Sequence, residues 1–298
     1  MKRIFYFNTT YGCDSNCVFC YSHNTRHNSK SHNEISAAAF FEYLDNYGLT
    51  SGDRVIVNGG EPFLHSEIDA ILSGLAGYGC EVLVYTNGRT LAQHDLSKLP
   101  GRYRLVIPIH GPEDIHDSIN GVKGSYQETL MGLQSLAETT SCLVDIKLII
   151  NSAMLSGDHD GVKLFESLSR VPFNNAVHIT KMADTIVSKR NGCQSVSNED
   201  AAYYTALLYN YFKDRNREIK VFDTCVKDID FDGSQDYEPY GEPIVVFFKD
   251  WSQFRIMDLT RTRQKCMDDC KCLEKCASAV DEYKALVYSQ GIIFEGLE

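Results

Sequence analysis

Six runs rich in apolar residues, at 3–8, 54–58, 81–86, 104–109, 143–150 and 176–181, each lead into a polar or glycine-bearing cluster. Between them the spacing of apolar residues turns helical, at 36–46, 66–78, 124–138 and 161–170, with a weaker pattern at 91–98. Strands that alternate with helices read as βαβ units, because a parallel neighbour needs a crossover long enough to hold a helix. The fold class expected is therefore α/β, a curved parallel sheet or partial (β/α)6 barrel over residues 1–190, followed by a small Cys-rich α+β domain over 191–298. In such sheets the chemistry gathers at the C-terminal ends of the strands.

The clusters at those ends carry residue types suited to a site. Cys13, Cys17 and Cys20 follow the first strand, and Asn58-Gly59-Gly60-Glu61-Pro62 follows the second. Thr86-Asn87-Gly88, His110-Gly111-Pro112 and Asn151 follow the third, fourth and fifth. Three thiols in eight residues can supply three ligands to a [4Fe-4S] cluster and leave the fourth iron open. A zinc site or three ordinary buried thiols are the alternatives, although structural zinc prefers four protein ligands. Glycines at 59 and 60 let the backbone approach a ligand closely or adopt positive φ, and Glu61 beside them is a candidate ligand for an ammonium group.

Formal net charge is -11, with no block of Lys or Arg, which argues against nucleic acid and anionic membranes as partners. A neutral or cationic substrate fits that balance, and so does simple solubility. No run reaches the roughly 18 apolar residues that cross a bilayer. Residues 1–3 pass directly into the first strand, so neither a signal peptide nor a preceding peptide-recognition domain is expected. Eleven cysteines without an export signal point to metal or redox work in a reducing, cytoplasmic setting.

Beyond residue 185 the pattern changes. Ser197 is a candidate N-cap for a helix over 201–215, where Tyr203, Tyr204, Leu207, Leu208, Tyr211 and Phe212 recur at the spacing of core positions. A strand at 218–222 precedes Cys225, then an acidic stretch at 228–242, and the segments 243–249 and 252–258 read as a β-hairpin. Cys266, Cys270, Cys272 and Cys276 then offer four thiolates in eleven residues, suited to a second [4Fe-4S] cluster or to zinc.

The C-x3-C-x-aromatic-C pattern of Cys13, Cys17, Phe19 and Cys20, the Gly59-Gly60-Glu61-Pro62 stretch and Thr86-Asn87-Gly88 together resemble the radical S-adenosylmethionine (SAM) superfamily. The stretch from His110-Gly111-Pro112 through Ile115-His116-Asp117 to Gly124-Ser125 resembles the subgroup with a SPASM or shorter twitch domain, with His110 standing where Asp is common. The resemblance implies that Cys13, Cys17 and Cys20 hold a [4Fe-4S] cluster whose open iron binds SAM. It implies a SAM site built from Phe19, Asn58, Gly59, Gly60, Glu61, Thr86, Asn87, His110 and Asn151, with Phe19 near the adenine. It further implies an external one-electron reductant of flavodoxin or ferredoxin type, and one auxiliary cluster on the C-terminal cysteines.

Reduction of the first cluster would give a 5′-deoxyadenosyl radical that abstracts a substrate hydrogen. Some epimerases of this superfamily, acting on peptides or aminoglycosides in natural-product biosynthesis, return a hydrogen from a single thiol, and Cys225 is the candidate here. Dehydrogenation or peptide cross-linking through the auxiliary cluster is the alternative, and a non-enzymatic iron-sulfur or zinc module is a third reading. The substrate expected is a small molecule or a short peptide segment.

Overall fold

The computed structural model describes residues 3–20, 34–139, 141–156, 161–182, 186–215 and 217–222, and the backbone of two strands at 244–247 and 254–257. Cys225, Cys266, Cys270, Cys272, Cys276 and the acidic stretch at 228–242 lie outside the described residues.

Seven strands lie side by side in chain order: β1 (Ile4–Thr10), β2 (Arg54–Gly59), β3 (Glu81–Tyr85), β4 (Tyr103–Pro108), β5 (Leu143–Ile150), β6 (Ala176–Lys181) and β7 (Glu218–Phe222). Each pairs in parallel with the next. On the other edge of β1, β8 (Ile244–Phe247) pairs in parallel and β9 (Phe254–Met257) turns back antiparallel to β8. A doubly wound sheet reverses its strand order at a switch point, whereas here the order from β1 to β7 never reverses. One-way winding is that of a (β/α) barrel left open, which agrees with the sequence expectation. The strands from beyond residue 190 join this same sheet rather than forming a separate one.

The helices are α1 (Ala37–Asn46), α2 (Ile68–Leu75), α3 (Glu113–Asn120), α4 (Ser125–Thr139), α5 (Ser152–Leu155), α6 (Val162–Leu168), α7 (Ile186–Arg190) and α8 (Asn198–Lys213). Ser36 caps α1 by accepting from Ala39 N–H, and Ser197 caps α8 by accepting from Asp200 N–H, as its sequence suggests. Within α8, Tyr204, Leu208 and Phe212 are buried, and Leu207 and Tyr211 pack against the core. Tyr203 is 50% exposed and corrects the expectation of core packing for all six, because it sits at the rim of the apolar stripe. The weak helical pattern at 91–98 resolves into two 3-10 turns, Leu91–Gln93 and Leu96–Lys98.

Alternate residues of the strands β1 to β7 feed one continuous core. Phe5 and Phe7, Val55 and Val57, Val82 and Val84, Leu105 and Ile107, Val177 and Ile179, and Ile219 and Val221 all belong to it. The period of two therefore turns the intervening residues to the opposite face. There Asp145, fully buried, accepts from His178 Nε2 at 2.7 Å, Asn175 Nδ2 at 2.6 Å and Ala176 N at 3.0 Å, with Arg104 Nε 3.6 Å away. That set of donors satisfies a carboxylate that burial alone would penalise.

At the N-terminal ends of β1 and β2, Asp53 accepts from Arg3 N, Arg3 Nε and Arg3 Nη2, and from Thr50 N and Thr50 Oγ1. Arg3 also donates Nη1 to Tyr47 O at 2.7 Å, so one ion pair fastens the start of β1 to the α1–β2 turn. Burial raises the Asp53 carboxyl, but the bonds from Arg3 and Thr50 outweigh it and bring it down to about 2. A depressed carboxylate contributes stability above its unfolded value of 3.8, and that contribution is lost as pH falls toward about 2. Asp53→Ala is expected to lower stability at pH 7 by about 2 kcal/mol. It should also flatten the wild-type loss between about pH 4 and about pH 2. Urea unfolding across that range checks both effects, and an unchanged pH profile counts against this role for Asp53.

Candidate functional site

The thiol loop follows β1, and its course is fixed by backbone bonds before any side chain is considered. Gly60 N–H donates to Thr10 O at 2.7 Å, and Glu61 N–H donates to Gly12 O at 2.7 Å. A Cβ on Gly60 would lie 2.1 Å from Gly12 O, and one on Gly59, at φ +149, 2.3 Å from Thr10 O. The Gly-Gly pair is thus required so that the loop after β2 can lie against the approach to Cys13. Gly59 takes the positive φ that the sequence allows for, and the close approach is to the backbone of this chain.

Glu61 is fully buried. It accepts from Thr86 Oγ1 at 2.7 Å, Phe63 N at 3.0 Å and Asn87 N at 2.7 Å. Burial pushes its carboxyl up to about 7 against the pull of the bonds from Asn87, Thr86 and Phe63. The carboxylate is turned toward the β3 end, where it joins two strand-end loops.

From the β3 end, Asn87 Nδ2 donates to Asp14 Oδ1 at 2.6 Å and to Ser15 Oγ at 3.2 Å. Arg89, unremarked in the sequence, donates Nη1 to Asp14 O at 2.5 Å and to Ser15 Oγ at 3.1 Å, and Nε to Glu128 Oε2 at 2.6 Å. A cation from the turn after Thr86-Asn87-Gly88 therefore clasps the thiol loop between Cys13 and Cys17. Position alone, one residue past that motif, is the signal that could have found it.

Helix α3 holds the same loop from the other side. Its last two carbonyls, Ile119 O and Asn120 O, accept from Val18 N–H at 2.9 Å and Asn16 N–H at 2.8 Å, which satisfies groups that a helix C-terminus leaves unpaired. Asp117 of α3 accepts from Gly124 N, Ser125 Oγ and Tyr126 N and so caps α4. The stretch from His110 to Ser125 is thus one folded unit whose end clamps the thiol loop.

Within that unit, His110 N–H donates to His116 Nδ1 at 3.2 Å, His116 Nε2 lies 2.8 Å from the Asn120 amide, and Cys17 Sγ lies 3.3 Å from it on its other side. Burial holds His116 down at about 4 and His110 well below its ordinary value, so both rings are neutral at pH 7. The Phe19 ring meets the His110 ring edge-on, with centroids 5.3 Å apart. His110 Nδ1 is buried and has no hydrogen-bond partner among the described residues.

Of the other expected residues, Asn58 donates Nδ2 to the Tyr6 hydroxyl on the neighbouring strand. Asn151, fully buried, caps α5 by accepting from Ala153 N and Met154 N and donates Nδ2 to Ile149 O at 2.7 Å, so both its polar atoms serve the turn. Cys13, Cys17 and Cys20 are partly exposed, whereas Cys80, Cys142 and Cys193 are buried. Burial pushes the Cys80 thiol up to about 11, which makes it an inert apolar residue. Three partly exposed thiols on one braced loop, with Ser15 N–H 3.5 Å from Cys13 Sγ, fit the donor set of a cluster with one open iron. Among the described residues no three His, Cys, Asp or Glu side chains group as a single-ion site, and no helix is long and apolar enough to cross a membrane.

A sequence profile of the Radical SAM superfamily matches residues 7–150. Among curated proteins the chain is 24% identical over 226 residues to an AdoMet-dependent heme synthase of Methanosarcina barkeri, covering 75% of this chain and 62% of that relative. It is 30% identical over 159 residues to a probable GTP 3′,8-cyclase of Pyrobaculum aerophilum, covering 51% of this chain and 48% of the relative. Among solved structures it superposes on Streptococcus suis SuiB bound to precursor peptide SuiA, with a TM-score of 0.59 and 14% identity. That match covers 82% of this chain and 57% of SuiB, so the chain spans less than two thirds of both SuiB and the first curated relative.

The close approach at Gly60 gives a direct test. Gly60→Ala is expected to lose about 2 kcal/mol or more of stability and most of the iron taken up on anaerobic reconstitution, because a backbone carbonyl cannot move aside. Gly77→Ala, where a Cβ meets nothing within 4 Å, should be tolerated. Thermal unfolding and iron content of the two variants measure this, and equal iron uptake would refute the bracing role.

Proposed function

We propose, from the match of residues 7–150 to the Radical SAM superfamily, that the protein is an enzyme that holds a [4Fe-4S] cluster on Cys13, Cys17 and Cys20 and binds SAM beside it. When bound, these groups supply a 5′-deoxyadenosyl radical, which takes one hydrogen atom from the substrate. The observation that carries the reading is the gathering of the thiol loop, the Phe19 ring and the buried, unpartnered His110 Nδ1 at one set of strand ends. A buried nitrogen of a neutral imidazole, donor or acceptor according to its tautomer, is left to meet a polar group of a ligand.

In this reading the backbone of the loop from Asn58 to Gly60 faces the methionine end of SAM, and Phe19 and His110 face its adenosine end. Glu61, Thr86 and Asn87 position the loops from behind, since their polar groups are engaged with one another and with the thiol loop. Asn151 shapes the β5 end through its cap. Electrons come from an external carrier of flavodoxin or ferredoxin type. Cys266, Cys270, Cys272 and Cys276 are read as ligands of a second [4Fe-4S] cluster, carried by the sequence that follows β9.

For the substrate radical we assign epimerisation, with Cys225 giving its S–H hydrogen to the carbon from the opposite face. The sulfur left behind then needs one electron and one proton, the electron from the external reductant and the proton from solvent. The product keeps the substrate's oxidation level.

Anaerobically reconstituted protein with dithionite is expected to yield 5′-deoxyadenosine from SAM, and Cys17→Ala to abolish it. No 5′-deoxyadenosine from protein with full iron content sinks the reading. His110→Leu should weaken SAM binding about tenfold in anaerobic equilibrium dialysis, the effect of one buried hydrogen bond of about 1.4 kcal/mol. Turnover in deuterated water, once a substrate is found, should add a single deuterium, and Cys225→Ala should cleave SAM without forming that product. A product lighter by two hydrogens instead marks oxidation through an auxiliary cluster and overturns the epimerase assignment.

A further inference from the structure

We propose that Asn120 donates a side-chain N–H to the iron-bound thiolate of Cys17, that His116 orients it to do so, and that this bond raises the reduction potential of the cluster. The inference rests on Cys13, Cys17 and Cys20 being cluster ligands, and concerns one amide group whose two ends are chemically different.

The amide can lie in either of two orientations related by a flip, and the choice follows from the donors and acceptors around it. His116 Nδ1 faces the His110 backbone N–H at 3.2 Å, so it must be the accepting nitrogen. A neutral imidazole that accepts at Nδ1 carries its proton on Nε2. Nε2 is therefore a donor, and the Asn120 atom 2.8 Å from it must be the carbonyl oxygen. The NH2 group then takes the position 3.3 Å from Cys17 Sγ.

The sulfur makes the same demand independently. A free thiol could donate to an oxygen at that position, but a thiolate bound to iron has no proton, and an oxygen there would set acceptor against acceptor. Ser125 Oγ, 3.2 Å from the amide and 2.9 Å from Asp117 Oδ1, turns its one proton from Asp117 to the amide oxygen in this orientation, while Asp117 keeps the N–H groups of Gly124 and Tyr126. One orientation thus satisfies His110, His116, Asn120 and the thiolate together. The other puts N–H against N–H at one end and lone pair against lone pair at the other.

Hydrogen bonds to cluster sulfurs favour the more negative, reduced state, and partners beyond the ligands are a principal means by which a protein sets a cluster's potential. Helix α3 is rigidly placed for this, because the backbone carbonyl of Asn120 also accepts from Asn16 N–H within the same thiol loop. His116 acts as a positioning residue, and it does not touch the sulfur.

Asn120→Leu and the isosteric Asn120→Asp, reconstituted anaerobically, are compared with wild type by redox titration followed by EPR, alongside iron and sulfide analysis. In Asn120→Leu the ratio of reduced to oxidised cluster at a fixed potential is expected to fall about tenfold, which is about 59 mV for a one-electron couple. Asn120→Asp should fall further, because it sets an acceptor against the sulfur. Fully loaded variants with the wild-type midpoint overturn the proposal.

If neither variant retains a cluster, the wild-type protein still decides. With 15N placed only in asparagine side-chain amides, pulsed EPR of the reduced cluster must show coupling to a labelled nitrogen, and its absence overturns the proposal. Failure of the wild type to bind iron and sulfide at Cys13, Cys17 and Cys20 is a separate result, which removes the cluster reading itself.

Discussion

Two backbone hydrogen bonds between neighbouring strand ends, Gly60 to Thr10 and Glu61 to Gly12, set the distance on which the rest of the site depends. They bring the loop after β2 so close to the approach to Cys13 that only glycine fits between them. From that joint Glu61 reaches back to the β3 end, Asn87 and Arg89 reach forward to Asp14 and Ser15, and the end of α3 takes Asn16 and Val18. Each bond contributes only about 1 kcal/mol net. Their number, and their burial, make the loop stiff. The conformational entropy of the thiol loop is therefore lost largely on folding, which leaves less to lose when a ligand group is taken up.

Charge is divided between the two ends of the sheet. At the N-terminal ends, Arg3 with Asp53 and Arg54 with Glu81 tie strands to their neighbours and to the turns below them. At the C-terminal ends, by contrast, carboxylate and cation converge on one loop, as Arg89 does with Asp14 and Glu128. Conventional pairs thus serve stability at one face while the other face is spent on positioning, the division that barrel architectures generally show.

The strands, their C-terminal clusters, the thiol triplet and the Ser197 cap were legible because each is written in consecutive residues. The alternation of period two with helical spacing predicts the sheet and most of its helices, and the Gly59-Gly60 pair marks a close approach even before its partner is known. Helix α3 escaped as a helix because it has only eight residues and a polar composition, EDIHDSIN, in which Ile115 and Ile119 are the only large aliphatic residues. Arg89, Asn120 and Glu128 escaped for another reason: their partners lie 39 to 103 residues away, and no local pattern announces such contacts. Asn151 shows the converse, since an Asn ahead of Ser-Ala-Met-Leu carries an N-cap signal as plainly as a binding one, and the cap is what it forms.

The pairing of β1 has a consequence for the order of assembly. Its residues Ile4 to Phe7 pair on one side with β2 and on the other with Ile244 to Phe247 of β8. The strand that carries the thiol loop is synthesised 240 residues ahead of the strand that completes one of its edges. Until β8 arrives, β1 is an open edge strand, the kind that recruits foreign strands. Pairings so distant in sequence form slowly. Loss or delay of β8 would thus be felt at β1 and at the thiol loop that β1 carries, far from β8 in sequence.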